Sequence, residues 1–312
     1  MMGAIPALLL AFLIDILFGD PPNRFHPVVA MGSYIGWLTR RWNHGRNRQR
    51  FLAGSTGILL GGILFALPWI LFIQLQNHIP LWMSVIITGI MLKAVFAFRT
   101  LLQAGSEVQQ ALMKNDLCEA RRLLSWHLVS RDTGSLNPEQ IASATIESLA
   151  ENLTDSFLAP LFYFSIGGLP LAWFYRFINT ADAMIGYHTD AFEFFGKFAA
   201  RLDDLLNWLP ARLAGVWIVL AAWPCRLDGK AALRVMITQH RRTASPNAGW
   251  TMAAAAGALG VTLEKKGQYR LEGGPDLPDA PAIQAALRLI RVSLVISLLV
   301  CGGLIFIYGL IF

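Results

Sequence analysis

Three carboxylates, Glu147, Glu151 and Asp155, stand at i, i+4 and i+8 in the stretch NPEQIASATIESLAENLTDSFLAPL. On a helix that spacing puts them on one face. Asn137, Pro138 and Glu139 open such a helix with an N-cap, a proline at the first helical position and an acid in the first turn, and the helix is expected to run to about Leu158. Like charges one turn apart repel by a few tenths of a kcal/mol even in water, and by more as water is withdrawn. This helix leads straight into an apolar segment at Phe157. A solvated acidic face is the plain alternative, but Ser148, Leu149, Ala150 and Leu153 between the acids are not the residues of a wet surface. The favoured reading is a magnesium site, since that hard ion takes carboxylate oxygens and keeps several waters, with Asn152 adding a neutral oxygen.

Further polar residues gather at the edges of apolar runs. Asn179 and Asp182 lie three apart, and Arg201, Asp203, Asp204 and Asn207 follow some twenty residues later; taken alone, the Asp pair reads as capping or a salt bridge with Arg201. Arg131, Arg176, Arg201, Arg241 and Arg242 are placed for phosphate. SPNAG, Ser245 to Gly249, leads into the apolar helix TMAAAAGALG, whose N-terminal amides would suit an anion; an ordinary capped helix start explains the same residues equally well. His26 is read as a proton carrier or as a structural hydrogen-bonder beside Pro27. Asp15 and Lys93 fall inside apolar runs, where charge is functional by default, although Lys93 is close enough to a helix end to snorkel. Neither GxxxxGK[ST] nor GxGxxG occurs, so no Walker or Rossmann turn holds a nucleotide. Cys118, Cys225 and Cys301 are far apart and lack CxxC spacing.

The elements that position these groups are apolar helices. Of 312 residues 55% are hydrophobic and only 15% charged, against roughly a quarter charged in soluble domains, so the surplus apolar side chains need lipid as solvent. Residues 51–75 carry no charge and exceed the roughly 20 residues that span a bilayer; Leu81–Phe98 and Val292–Phe312 are further spans. The first nineteen residues lack a basic n-region and a small-x-small cleavage site, and are read as a retained membrane helix. Phe157–Ile178 is interrupted by Pro160, Gly167, Gly168 and Pro170, and Leu205–Trp223 by Pro210 and Arg212. The GGLP break predicts that 157–178 dips into the membrane and returns, or stops at partial depth, as broken helices do where they line a polar cavity. The fold class is therefore all-α: a polytopic integral membrane protein with interrupted or re-entrant helices, one membrane-embedded domain over 1–312. Arg40, Arg41, Arg46, Arg48 and Arg50 precede the first sure span and no Lys or Arg follows it, which places that stretch in the cytoplasm. Segments 99–156 and 224–291 are then cytoplasmic, the first opening with two amphipathic helices broken near Asn115. The net charge of +6 reads as this topology signal and not as a nucleic-acid surface.

Four groups carry a resemblance: DILFGDPPNRFHPV, SRDTGSLNPEQIASATIESLAENLTDSFLAPL, YRFINTADAMIGYHTDAFEFFGKFAARLDDLLNWLPARL and HRRTASPNAGWTMAAAAGALGVTLEKKGQY. In this order, over nearly the whole chain, they resemble the adenosylcobinamide-phosphate synthase family of cobalamin biosynthesis. The resemblance implies a ligase that joins an amino-alcohol phosphate, such as 1-aminopropan-2-ol phosphate, to a propionate of the corrinoid adenosylcobyric acid through an amide bond, with ATP and magnesium. It implies a bacterial inner-membrane enzyme whose active site faces the cytoplasm, and is compatible with a homo-oligomer. Under it Glu147, Glu151, Asp155 and Asp182 are candidate metal ligands, Arg131 and Arg201 phosphate clamps, and Asp203 or Asp204 the base that frees the amine. Asp20, His26, Asn179, Arg241, Ser245 and Asn247 are candidate substrate-binding residues. Two rivals share parts of the pattern. A magnesium-dependent intramembrane transferase of the prenyltransferase type would show denser DxxxD motifs than NTAD and one DD pair, and a small-molecule permease would show two related halves, which this chain lacks.

Overall fold

The computed structural model describes residues 3–311 except Asn23, Phe25 and His188, so the outermost residues of the first and last apolar runs, Met1, Met2 and Phe312, lie outside it. The chain forms two compact units, one made of Met1–Ala97, Ala159–Asn207 and Val300–Phe312, the other of Phe98–Leu158 and Trp208–Leu299.

In the first unit the N-terminal helix α1 (Ala4–Phe18) packs on α4 (Leu81–Lys93), while α2 (Pro27–Trp42) and α3 (Asn47–Leu75) pack on α8 (Ala159–Ile185). The helix α3 holds 29 residues, about 44 Å at 1.5 Å per residue, and turns a small-residue face inward. At Gly54 the backbone carbonyl of Phe195 comes so close that an added Cβ would sit 2.1 Å from its oxygen. Close approach of small residues is how helices associate where lipid removes the hydrophobic drive. Helix α4 has 13 residues; the span expected over Leu81–Phe98 leaves helical geometry after Lys93 and is shorter than a bilayer core on its own.

The interruption expected in the 157–178 segment is present in α8. Gly167 (φ −137°, ψ 18°) and Gly168 (φ 64°, ψ −157°) break the helix, the second in the left-handed half of backbone space that an L side chain enters at a cost of about 1–2 kcal/mol. The rings of Tyr163 and Tyr175 stack with centroids 5.2 Å apart, whereas twelve residues of unbroken helix would separate them by about 18 Å. The Tyr163 hydroxyl donates to the Leu206 carbonyl at 2.7 Å and that of Tyr175 to Asn207 Oδ1 at 2.9 Å, so both arms of the hairpin meet the end of α9 (Lys197–Leu206). Among the described residues three helices could cross a membrane by length and composition, Asn47–Leu75, Pro138–Ile185 and Ala280–Ile307, and a fourth if α9 and α10 (Trp208–Ala222) form one broken span. The second of these is folded back at the Gly pair.

The second unit gathers both segments expected to be cytoplasmic. Helices α5 (Arg99–Met113) and α6 (Leu117–His127) are separated by Asn115 at φ 57°, the break read from sequence. Helix α7 (Pro138–Leu153) starts with a capping box: Gln140 N donates to Asn137 Oδ1 at 2.8 Å and Asn137 N to Gln140 Oε1 at 3.0 Å. A π-helical turn, Thr154–Leu158, extends it. Helices α11 (Gly229–Gln239) and α12 (Ala248–Leu259) pack with α10, and the small buried residues Ala253–Ala256 let α12 lie at the centre. An antiparallel hairpin of β1 (Thr262–Lys265) and β2 (Tyr269–Glu272) was not expected; Leu263 pairs with Leu271, both fully buried, and Lys265 with Tyr269. The last helix, α13 (Ala280–Ile311), runs on after it.

Candidate active site

In the second unit, α7, the loop after α6, α12 and the hairpin line a half-open cavity of about 170 Å³ whose polar lining includes Arg131, Glu147, Ser148, Glu151, Lys265 and Tyr269. The helix α7 contributes the two acids, one turn apart. Glu147 is only 4% exposed, and a chain of donors holds it. The β1 amide of Glu264 donates to Ser143 Oγ at 2.8 Å, Ser143 Oγ donates to Glu147 Oε1 at 2.7 Å, and the Tyr269 hydroxyl donates to Glu147 Oε2 at 2.5 Å. Arg131 and Lys265 are the cations that act on it electrostatically. Burial first, and then the neighbouring Glu147 carboxylate, push the Tyr269 phenol far above its ordinary range, so it serves as a donor and not as a base. Ser148 Oγ donates to the Leu128 carbonyl at 2.8 Å, fixing the loop that carries Arg131 to α7.

Two of the acids expected to hold magnesium, Glu147 and Glu151, border this cavity. Among the described residues no group of three or more His, Cys, Asp or Glu side chains is disposed to hold a metal ion. Glu147 and Glu151 border the cavity, Asp155 lies beyond it in the π-helical turn, and Asp182 belongs to the other unit. Both Glu147 oxygens already accept hydrogen bonds, and Asn152, expected to offer an oxygen, accepts at Oδ1 from Ser156 and donates to Ser148. The i, i+4, i+8 pattern assumes one unbroken α-helix, and the π-helical turn alters the phase at its last member.

The other predicted residues fall into three further places. In the first unit Asp203, 7% exposed, accepts from Asn179 Nδ2 at 3.3 Å and Asn207 Nδ2 at 2.9 Å, with Asp182 and Asp204 close enough to act on it; Arg201 is exposed on α9. In the same unit Lys93 is buried and forms ion pairs with Asp15 at 2.9 Å and Asp20 at 2.5 Å, so it does not snorkel. His26 is the N-cap of α2, its Nδ1 accepting from Val28 N at 3.2 Å. In the second unit Ser245 Oγ accepts from the amides of Asn247 (3.2 Å) and Ala248 (3.4 Å) at the start of α12, and the Asn247 side chain accepts from Arg212, which lies over the Trp208 and Trp250 rings. Arg241 is exposed in the short turn before it. Lys265 and Tyr269 were missed. Their signal was the pattern TLEKKGQYRLE, two alternating runs around a glycine turn.

Comparison with known proteins follows this geometry across the whole chain. A family model described as CobD/Cbib protein matches residues 8–293. A protein of Methanothermobacter thermautotrophicus named "Probable cobalamin biosynthesis protein CobD" is 44% identical over 97% of this chain and 98% of its own. The "Cobalamin biosynthesis protein CobD" of Dehalococcoides mccartyi is 41% identical over 96% of each chain. The "Cobalamin biosynthesis protein CbiB" of Salmonella arizonae is 38% identical over 83% of this chain and 82% of its own. No solved structure matches. With a matching family model and relatives this similar over nearly their full lengths, the chain belongs to the CobD/CbiB protein family.

Proposed function

We propose that this membrane protein acts in cobalamin biosynthesis as an adenosylcobinamide-phosphate synthase, joining an amino-alcohol phosphate to a propionate of adenosylcobyric acid through an amide bond. The observation that carries the reading is the 44% identity to a cobalamin biosynthesis protein over 97% of the chain. A carboxylate is a poor electrophile, so the propionate is first phosphorylated by ATP and the amine then displaces phosphate, with cations stabilising charge on the transferred group. The cavity supports the phosphate-bearing substrate of this reading by holding two cations, Arg131 and Lys265, on elements braced by hydrogen bonds. Magnesium enters as the counter-ion of the nucleotide, and no step is assigned to it. Incubating the purified protein with adenosylcobyric acid, ATP, magnesium and a panel of amino-alcohol phosphates should give the amide with equimolar ADP. Amide without ATP consumption would overturn the activation step, and no amide from any of the panel would overturn the assignment.

A further inference from the structure

The charges around the cavity are balanced in number and divided by element. Both acids, Glu147 and Glu151, project from α7; the cations come from elsewhere, Arg131 from the loop after α6 and Lys265 from the hairpin. A cation alone would meet Arg131 and Lys265, and an anion alone would meet two carboxylates. The ligand matched to such a wall is itself dipolar. Size agrees: a half-open space of about 170 Å³ has room for a small metabolite. A phosphate monoester suits paired Arg and Lys. A primary ammonium on a short carbon chain would then fall against the acids of α7.

We propose that this cavity is the binding site for a small zwitterion bearing a phosphate monoester and a primary ammonium, the phosphate held by Arg131 and Lys265 and the ammonium by Glu151, with Glu147 adding to the negative field. The assignment rests on the reading of the protein as a synthase using an amino-alcohol phosphate. Ser143 and Tyr269 are positioning residues, since they hold Glu147 by donating to both its oxygens. On α12, Met252 supplies an apolar patch for the carbon chain.

The test is equilibrium binding to the full-length protein in detergent, without corrinoid or ATP. Four probes are compared: 1-aminopropan-2-ol phosphate, glycerol 1-phosphate lacking the ammonium, 1-aminopropan-2-ol lacking the phosphate, and inorganic phosphate. The zwitterion should bind at least tenfold tighter than each of the others. Glu151→Gln should bring it to within about twofold of glycerol 1-phosphate, while Arg131→Gln and Lys265→Gln should weaken both phosphate-bearing probes tenfold or more. Lys266→Gln, at the exposed hairpin tip, should bind like wild type. Thermal melts identify variants that fail to fold; because Lys265 lies at the end of the hairpin, its variant keeps the test available if Arg131→Gln unfolds. A zwitterion bound no better than glycerol 1-phosphate, or folded variants that bind like wild type, would overturn the proposal. Zwitterion binding as expected with no amide synthesis would sink the synthase reading alone. Amide synthesis whose KM for the amine is unmoved by Glu151→Gln and Arg131→Gln would sink the site alone.

Discussion

His26 fills a single backbone position, the cap of α2, and that sets its protonation. Its Nδ1 accepts the Val28 amide, which requires an unprotonated nitrogen there. Burial is the largest influence on it and lowers its pKa below the ordinary 6.5; Asp20 opposes this, while Arg176 and Lys93 add to it. The folded state therefore resists taking a proton that the unfolded chain accepts, and stability falls as the pH drops from about 6.5 toward the depressed folded value. Melting temperatures at pH 7.5 and 5.5 should differ more in wild type than in His26→Asn, which keeps a capping side chain and removes the titration. Equal pH dependence in the two proteins would contradict this account. A substrate contact through the other ring nitrogen is compatible with the cap.

At the scale of elements, α1 and α4 are each shorter than a bilayer core and pack together. What fixes their pairing is Lys93, which pairs with Asp15 and Asp20 and donates to the Phe96 carbonyl at 3.1 Å. Buried ion pairs are weak evidence for stability as such, but removing one partner strands the other charge at a cost of about 3–5 kcal/mol. Lys93→Met should therefore lower the yield and melting temperature of folded protein sharply, and Lys93→Met with Asp15→Asn and Asp20→Asn should recover much of the loss. A snorkelling lysine would have predicted a change within about 0.5 kcal/mol. A mild effect of Lys93→Met would restore that reading.

For the whole molecule the question is which groups share a side of the membrane. Arg50, in the first turn of α3, donates to the carbonyls of Asp190 and Ala191, and Asn43 donates to Ala191 at 2.8 Å. The residues just after α8 therefore lie at the same end as the basic stretch, as the reversal at Gly167 and Gly168 requires. If that stretch is cytoplasmic, a cysteine placed at Thr189 in a background without Cys118, Cys225 and Cys301 should be labelled from the cytoplasmic side in oriented vesicles. Labelling from the opposite side alone would refute the return of α8. Arg50 also has a structural task beyond topology, so its neutralisation should lower stability more than that of exposed Arg48.

Much was legible in the sequence because it is local. Hydropathy fixes the long spans, since chain length and lipid thickness are compared residue by residue. Asn137-Pro138 marks the start of α7 through a capping box closed within four residues, Asn115 marks the α5–α6 break, and Gly167-Gly168 marks the reversal, because only glycine enters that backbone conformation cheaply. The site was only half legible. Arg131, Glu147 and Glu151 were singled out by charge in an apolar setting, but what they face depends on the hairpin, whose Lys265 and Tyr269 lie more than a hundred residues further on. Tertiary structure alone decided that both Glu147 oxygens accept from Ser143 and Tyr269, and that Lys93 finds Asp15 and Asp20 instead of water. A helical period says which residues share a face; the partners of that face come from distant segments that local spacing does not encode.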